Sequence, residues 1–199
     1  LHTAYRRQRQ MCIRDRFWMK RFYHADRCLA LAPNQSLILN THGASVFGCE
    51  YWPSMNDRQI EEIDDLDLQR EAVLEYVRQS SPYLANTRIS RRQVAFAAQS
   101  KEDALNFSTL VLPIPEHPIP IYEVSAERYF IADMNWLDFD CKGNVSKMLH
   151  YAERYWYGDI TNSPYRPPLL EVMLALPITV YQQVGYVENK EGCWQYSPI

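Results

Sequence analysis

An apolar segment at residues 170–180 constrains the fold most. It reads Leu-Glu-Val-Met-Leu-Ala-Leu-Pro-Ile-Thr-Val and contains a single charged residue, Glu171. A short, nearly continuous apolar run is typical of a strand inside a sheet. A carboxylate buried there must be paired, hydrogen-bonded or used in chemistry. The sequence therefore predicts a sheet with one functional or ion-paired glutamate in an interior strand.

The rest of the chain alternates between strand and helix patterns, which predicts a mixed α+β domain. Apolar residues recur at helical spacing from about residue 57 to residue 79, and Ser100 can cap a helix that begins at Lys101. Gly158 is well placed to end another helix. The predicted elements are strands near 21–25, 92–98, 121–124 and 129–134 and helices over 57–79, from 101 and over 145–157.

The two ends of the chain are predicted to lie outside the domain. Residues 1–16 look like the translation of a sequencing adapter, and such segments are excluded from fold reasoning. The domain is expected over residues 17–184, and residues 185–199 lose the strand and helix patterns, which predicts a loose or truncated tail. The formal net charge is −3 and becomes more negative without residues 1–16, which disfavours a general phosphate-binding surface.

Several classes of site are disfavoured by the sequence. It has no glycine-rich phosphate loop, GxSxG turn or HExxH helix. His24, Cys28, His42 and Cys49 do not have the spacing of a zinc module, so we expect no metal site. The five cysteines form no CxxC pair, and no apolar run reaches membrane-spanning length. We therefore expect reduced thiols, no membrane partner and a cytoplasmic location.

A series of short motifs, in a fixed order, resembles the ADP-ribosyltransferase-like family, in particular an uncharacterised bacterial and phage branch. The likeness covers about residues 21–184. The motifs are Tyr23-His24, Phe96-Ala97 followed by Glu102-Asp103-Ala104, Ile121-Tyr122-Glu123-Val124, Ala132-Asp133-Met134-Asn135, Tyr155-Trp156 with Gly158, and Glu171-Val172.

The resemblance implies a fold, a substrate and a set of site residues. The fold would be a split antiparallel β-sheet flanked by helices, with NAD as substrate in a cleft between the half-sheets. His24 would hydrogen-bond the cofactor, and Arg27 would face its phosphates. Tyr23, Phe96 or Tyr157 would substitute for the aromatic residue that stacks on nicotinamide in the family. Glu171 would be the catalytic residue, because a fixed carboxylate stabilises the positive charge that develops on the ribose when nicotinamide leaves. The ADP-ribose acceptor would be an unidentified protein or nucleic acid.

A departure from the motif leaves a second function open. The branch of the family that pairs His with Tyr and Glu usually carries tyrosine immediately before Phe-Ala, where this chain has Ala95. The scaffold would then belong to a binding or structural protein without catalysis. In that case Glu171 would pair with a nearby arginine such as Arg166, and Arg27 would form a surface or structural ion pair.

A third function is suggested by Arg88, Arg91 and Arg92, which cluster before the Phe96 strand. Such a cluster could contact a nucleic acid, but it is more often a solvated turn.

Overall fold

The computed structural model of the chain describes residues 19–49, 66–110, 114–137, 141 and 144–199. The predicted adapter segment, residues 1–16, lies outside the described residues, as does the predicted helical segment before residue 66.

The described residues form eight strands, four complete α-helices and a helical segment at residues 46–49. The helices are α1 (Leu66–Ser80), α2 (Pro82–Thr87), α3 (Lys101–Leu110) and α4 (Val145–Tyr157). The strands are β1 (Phe22–Ala25), β2 (Ser36–Leu37), β3 (Val94–Ala97), β4 (Ile119–Ala126), β5 (Tyr129–Asp133), β6 (Leu170–Ala175), β7 (Ile178–Lys190) and β8 (Cys193–Pro198). Short 3₁₀ turns at Arg91–Gln93 and Met134–Leu137 precede β3 and follow β5.

Local signals explain where the helices begin and end. The Ser100 hydroxyl accepts a hydrogen bond from the Asp103 backbone N–H at 3.0 Å, which caps α3 as predicted. The Asn144 side chain caps α4 through the Lys147 backbone N–H. Gly158 follows α4 with a φ of 75°, a left-handed conformation in which glycine carries no Cβ penalty. The predicted helix over 145–157 is therefore confirmed with its C-terminal stop.

The strands form two antiparallel sheets, so the mixed α+β prediction is confirmed. One sheet has the order β1-β4-β7-β2, with β8 added to β7, and the other has the order β3-β6-β5. The edge strands β1 and β3 meet at one bridge, where Tyr23 and Ala98 exchange backbone hydrogen bonds of 2.8 and 3.0 Å. The two sheets are thus joined along β1 and β3.

Helices cover both sheets. Helices α1 and α4 pack on the three-stranded sheet, and the Trp156 indole N–H donates to the Leu74 carbonyl at 2.7 Å. Helix α3 packs against the five-stranded sheet. A second cluster, between these layers, joins residues of both sheets: Phe22, Ala97, Tyr122, Val124, Val172, Leu174, Ile178 and Val180.

The prediction of a loose tail from residue 185 is wrong. Strand β7 extends to Lys190 and forms a hairpin with β8, and Trp194 and Tyr196 pack on the core. The turn consists of Glu191 and Gly192, with φ values of 55° and 83°. Positive φ at both positions gives a twist that matches a two-residue hairpin. A Glu-Gly turn is a weaker sequence signal than Asn-Gly or Asp-Gly, which is why the sequence did not reveal the hairpin.

We predict that Gly185→Ala destabilises this hairpin. A Cβ at residue 185 would lie 2.5 Å from the Ser197 carbonyl oxygen and 2.6 Å from the Tyr196 ring. The backbone of β8 would have to move, so we expect a loss of about 2 kcal/mol in the free energy of unfolding. Urea-induced unfolding of Gly185→Ala and wild type measures this loss. An unchanged midpoint would contradict this packing of β8 on β7.

Candidate functional site

The junction of β1 and β3 brings together two of the predicted site segments. His24 Nδ1 lies 2.6 Å from the Phe96 carbonyl oxygen. Strand β3 in turn pairs with β6, which carries Glu171. Segments that are more than 70 residues apart in the sequence therefore lie on three successive neighbouring strands.

The tautomer of His24 follows from this contact. A carbonyl oxygen only accepts hydrogen bonds, so Nδ1 carries the proton and donates to Phe96. Burial lowers the pKa of His24 below 6.5, and this effect outweighs the opposing influence of the Phe96 carbonyl and the Asp26 charge. The neutral imidazole then has Nε2 as a hydrogen-bond acceptor.

We predict that His24 makes the fold sensitive to mild acid. Because its folded pKa is lowered, its contribution is fully present above about pH 6.5 and is lost as the pH falls towards the folded pKa. His24→Asn keeps an N–H donor at the position of Nδ1 for the Phe96 carbonyl and removes the titration. Unfolding free energies measured between pH 7 and pH 5 should therefore decline less steeply in this variant. The control is exposed His150→Asn, and an identical slope in His24→Asn and wild type would contradict the assignment.

The chain after β1 turns sharply, and this turn holds Arg27. The Asp26 carboxylate accepts hydrogen bonds from the Ala30 N–H at 3.1 Å and the Leu31 N–H at 2.8 Å. Arg27 is half-buried in this turn, and its backbone N–H donates to the Ala25 carbonyl. Arg27 thus lies at the end of β1, as its sequence position predicts.

The predicted aromatic contacts do not share a face with His24. Side chains alternate along a strand, so Tyr23 faces α3 and β8 while His24 is on the face of Phe22. The Phe96 ring packs edge-to-face on Phe47, with centroids 4.9 Å apart. His24 donates to the backbone carbonyl of Phe96 rather than contacting its ring through a hydrogen bond. The rings of Tyr23 and Phe96 pack in clusters other than the one that contains Phe22, and their cofactor contacts stay predictions.

Glu171 belongs to a buried hydrogen-bonded ion pair. It is 1% exposed, and its Oε1 lies 2.7 Å from Arg91 Nη1 and 2.5 Å from the Tyr155 hydroxyl. Arg91 Nε donates to Glu71 Oε2 at 2.9 Å, and Arg91 Nη1 also contacts the Tyr155 hydroxyl. We call Glu71, Arg91, Tyr155 and Glu171 the Arg91 cluster.

The electrostatics of the Arg91 cluster favour a charged guanidinium. Burial alone would lower the pKa of Arg91, but attraction by Glu171 and Glu71 holds this pKa well above its usual value. Burial raises the pKa of Tyr155 well above its usual value, opposed by Arg91 and assisted by Glu171. Tyr155 therefore remains a hydrogen-bond donor to Glu171. The Arg91 guanidinium also lies 4.6 Å above the Phe96 ring.

Two sequence-based expectations about arginines are corrected by these contacts. The partner of Glu171 is Arg91 rather than Arg166, because the turn that carries Arg91 leads into β3, which pairs with the strand of Glu171. The arginine cluster is not wholly a solvated or nucleic-acid-facing turn. Arg91 is 6% exposed, and Arg88 Nε donates to the Trp156 carbonyl at 2.7 Å. The sequence did indicate that Glu171, as a buried carboxylate, needs a partner. It did not identify which arginine is that partner.

A second buried carboxylate, Asp133 at the end of β5, was missed as a structural centre. Its Oδ1 accepts from the backbone N–H groups of Asn135 and Leu169, and its Oδ2 accepts from the Thr161 N–H and hydroxyl. Burial opposes ionisation, but the bonds from Thr161, Asn135 and Leu169 together lower the pKa of Asp133. Asp133 thereby ties the segment before β6 to the end of β5.

Comparison with protein families gives a match over most of the chain. The family model described as a protein of unknown function (DUF2441) matches residues 19–186. A comparison with curated proteins gave no match. Within the described ranges, no group of three or more His, Cys, Asp or Glu side chains could hold a metal ion. None of the described helices has the length and apolar composition needed to traverse a bilayer.

Proposed function

The chain belongs to the DUF2441 family, whose description gives no activity, and we propose from its own residues that it is a non-catalytic binding protein on an ADP-ribosyltransferase-like scaffold. Glu171 has a structural role in this proposal. It holds Arg91 in the core and does not contact a ribose.

The contacts of Glu171 carry this proposal. A catalytic carboxylate must reach the substrate, but Glu171 is 1% exposed and its Oε1 is bound by Arg91 and Tyr155. A carboxylate neutralised by a guanidinium at 2.7 Å also stabilises a developing cation less than a free one does. Moving Glu171 out would leave Arg91 with Glu71 as its remaining carboxylate partner in the Arg91 cluster.

The strand faces support the same conclusion. Glu171 shares its face of β6 with Met173, which packs under α1 and α4. His24 shares its face of β1 with Phe22, in the cluster that joins the two sheets. Alternation along the strands therefore directs the two side chains to different layers of the protein.

The scaffold itself is supported by the arrangement of the motifs. The resemblance implies a split antiparallel sheet whose half-sheets carry the histidine, Phe-Ala and glutamate segments. Strand β3, which carries Phe96, pairs with β6, which carries Glu171, and meets β1, which carries His24, at one bridge between the two sheets.

NAD-dependent transfer of ADP-ribose to a protein or nucleic acid is the second candidate function. It is favoured by His24, whose Nε2 acceptor lies beside the junction of the sheets and suits a ribose hydroxyl. It requires Glu171 to leave the Arg91 cluster and reach the same ligand.

Nicotinamide release from NAD distinguishes the two functions. We expect wild-type protein to release nicotinamide no faster than buffer, measured by chromatography. Glu123→Gln, which changes a partly exposed carboxylate on β4, is the matched control for Glu171→Gln. Release by wild type and Glu123→Gln that falls by about a hundredfold in folded Glu171→Gln would overturn the non-catalytic proposal.

A further inference from the structure

Strand β8 is an open edge of the five-stranded sheet. It pairs with β7, and no other described strand pairs with it. Because the hairpin turn has two residues, Lys190 and Cys193 beside it form a hydrogen-bonded pair, and such pairs recur at every second residue. The Ile199 N–H, which donates to the Val184 carbonyl at 3.5 Å, follows this alternation. The backbone polar groups of the even-numbered residues of β8 therefore point away from β7.

The outward groups of β8 belong to Trp194 and Tyr196. Within the described part of the chain, their one contact is weak: the Cys193 thiol lies 3.8 Å from the Trp194 carbonyl oxygen. An open edge is a template for another strand unless charges, prolines or bulges protect it. β8 contains no charged residue, and its Pro198 is the last residue of the strand. The edge is therefore able to accept a further strand.

A second copy of β8 complements this edge in one antiparallel register. With Gln195 of one copy opposite Gln195 of the other, Trp194 lies opposite Tyr196, and four backbone hydrogen bonds form. A register centred on Tyr196 would place Trp194 opposite Pro198, which has no N–H to donate. A register centred on Trp194 would place Tyr196 opposite Gly192 in the hairpin turn. The register centred on Gln195 thus satisfies the outward groups of both copies.

The side chains that this register brings together are compatible. Trp194 and Tyr196 are on the face of β8 that packs on the core beside α3, so their pairing continues an apolar layer between the copies. On the other face, Cys193 lies opposite Ser197 and Gln195 opposite Gln195. Because β8 has no charged residue, no like charges oppose each other in the paired strands.

We propose that two copies of the chain associate through β8, antiparallel about a two-fold axis at Gln195, so that their five-stranded sheets become one continuous sheet. Two-fold dimers are the commonest homo-oligomers, and main-chain hydrogen bonds give affinity in strand addition. The edge is 6 residues long, so we expect an interface smaller than that of a permanent dimer and association that depends on protein concentration. This association is independent of whether the protein binds a ligand or acts on NAD.

A charge exchange at Gln195 tests the interface by sedimentation velocity. Gln195→Glu and Gln195→Lys each place like charges directly opposite each other, so each should weaken the wild-type dimer by about tenfold or more. An equal mixture of the two variants, in which opposite charges face each other, should dimerise again. The matched control is Gln182→Glu, which changes an exposed glutamine on β7 away from β8 and should dimerise like wild type. Circular dichroism verifies that each variant is folded.

A disulfide tests the register. Cys193 of one copy and Ser197 of the other form a non-hydrogen-bonded pair, whose Cα atoms would be about 4.5 Å apart, within the range that a disulfide bridges. Ser197→Cys protein treated with oxidised glutathione should therefore become cross-linked between Cys193 and the introduced thiol, as found by peptide mapping. The combined variant Cys193→Ser with Ser197→Cys should lack this cross-link.

Three results would overturn the proposal. A folded wild type that stays monomeric up to about 1 mM would show that β8 does not pair with a second copy and leaves the edge to a strand of a different protein. Dimerisation of Gln195→Glu as tight as that of wild type would exclude the β8 edge as the interface. A Ser197→Cys variant that dimerises without the cross-link would exclude the register.

Discussion

Replacing Arg91 by methionine is expected to lower the free energy of unfolding by about 4 kcal/mol, because it removes one partner of a buried ion pair. Glu71 and Glu171 would remain buried without the guanidinium that lies 2.9 and 2.7 Å from them. Methionine fills much of the same space beside Phe96. The loss of unfolding free energy therefore comes mainly from removal of the positive charge.

Denaturant unfolding followed by fluorescence measures this loss. The control is Arg154→Met, which removes an arginine from an ion pair with Asp159 whose side chains are 49% and 39% exposed. An exposed pair of this kind contributes at most about 1 kcal/mol. If Arg91→Met lowered the free energy of unfolding by no more than Arg154→Met does, the buried ion pair of Arg91 would not stabilise the core.

Asp133→Asn is expected to cost about 3 kcal/mol in the free energy of unfolding. An asparagine side chain accepts hydrogen bonds at its oxygen only. Its NH₂ group would replace either Oδ2, and face the Thr161 N–H, or Oδ1, and face the N–H groups of Asn135 and Leu169. At least one buried donor then loses its acceptor, at about 1–3 kcal/mol each. The segment before β6, which Asp133 ties to the end of β5, should loosen with it.

The pH dependence of the free energy of unfolding tests whether the Asp133 carboxylate makes this contribution. The pKa of Asp133 is lowered in the fold, so its contribution is present above about pH 4 and is lost as the pH falls through the folded pKa. Asp133→Asn should therefore flatten the loss of stability as the pH falls below about 4. Asp159→Asn, at an exposed carboxylate, is the control, and equal acid slopes in both variants would exclude Asp133 as the source.

Local sequence patterns were sufficient to predict much of the fold. The helical spacing before Gly158 and the cap at Ser100 predicted α4 and the start of α3. The apolar run with one carboxylate predicted an interior strand, and β6 is central in its sheet. These predictions succeeded because they depend on neighbours within one turn or one strand.

The site depends on contacts between distant segments, which is why the sequence resolved it poorly. Arg91 and Glu171 are 80 residues apart, and their contact follows from packing of the turn before β3 across the sheet. Alternation along a strand shows which residues share a face of the sheet, but it does not show which helices or strands pack on that face. The sides on which His24 and Glu171 lie follow from the pairing of β1, β3 and β6. A single sequence contains no direct record of this pairing.

The most direct test of the structural role of Glu171 is a double-mutant cycle with Glu171→Gln, Arg91→Met and the combined variant. The free energies of unfolding should show a coupling of about 2 kcal/mol between the two positions, as expected for residues in one buried network. The single Glu171→Gln change should itself cost about 3 kcal/mol. Effects that add to within about 0.4 kcal/mol would contradict a structural ion pair between Glu171 and Arg91.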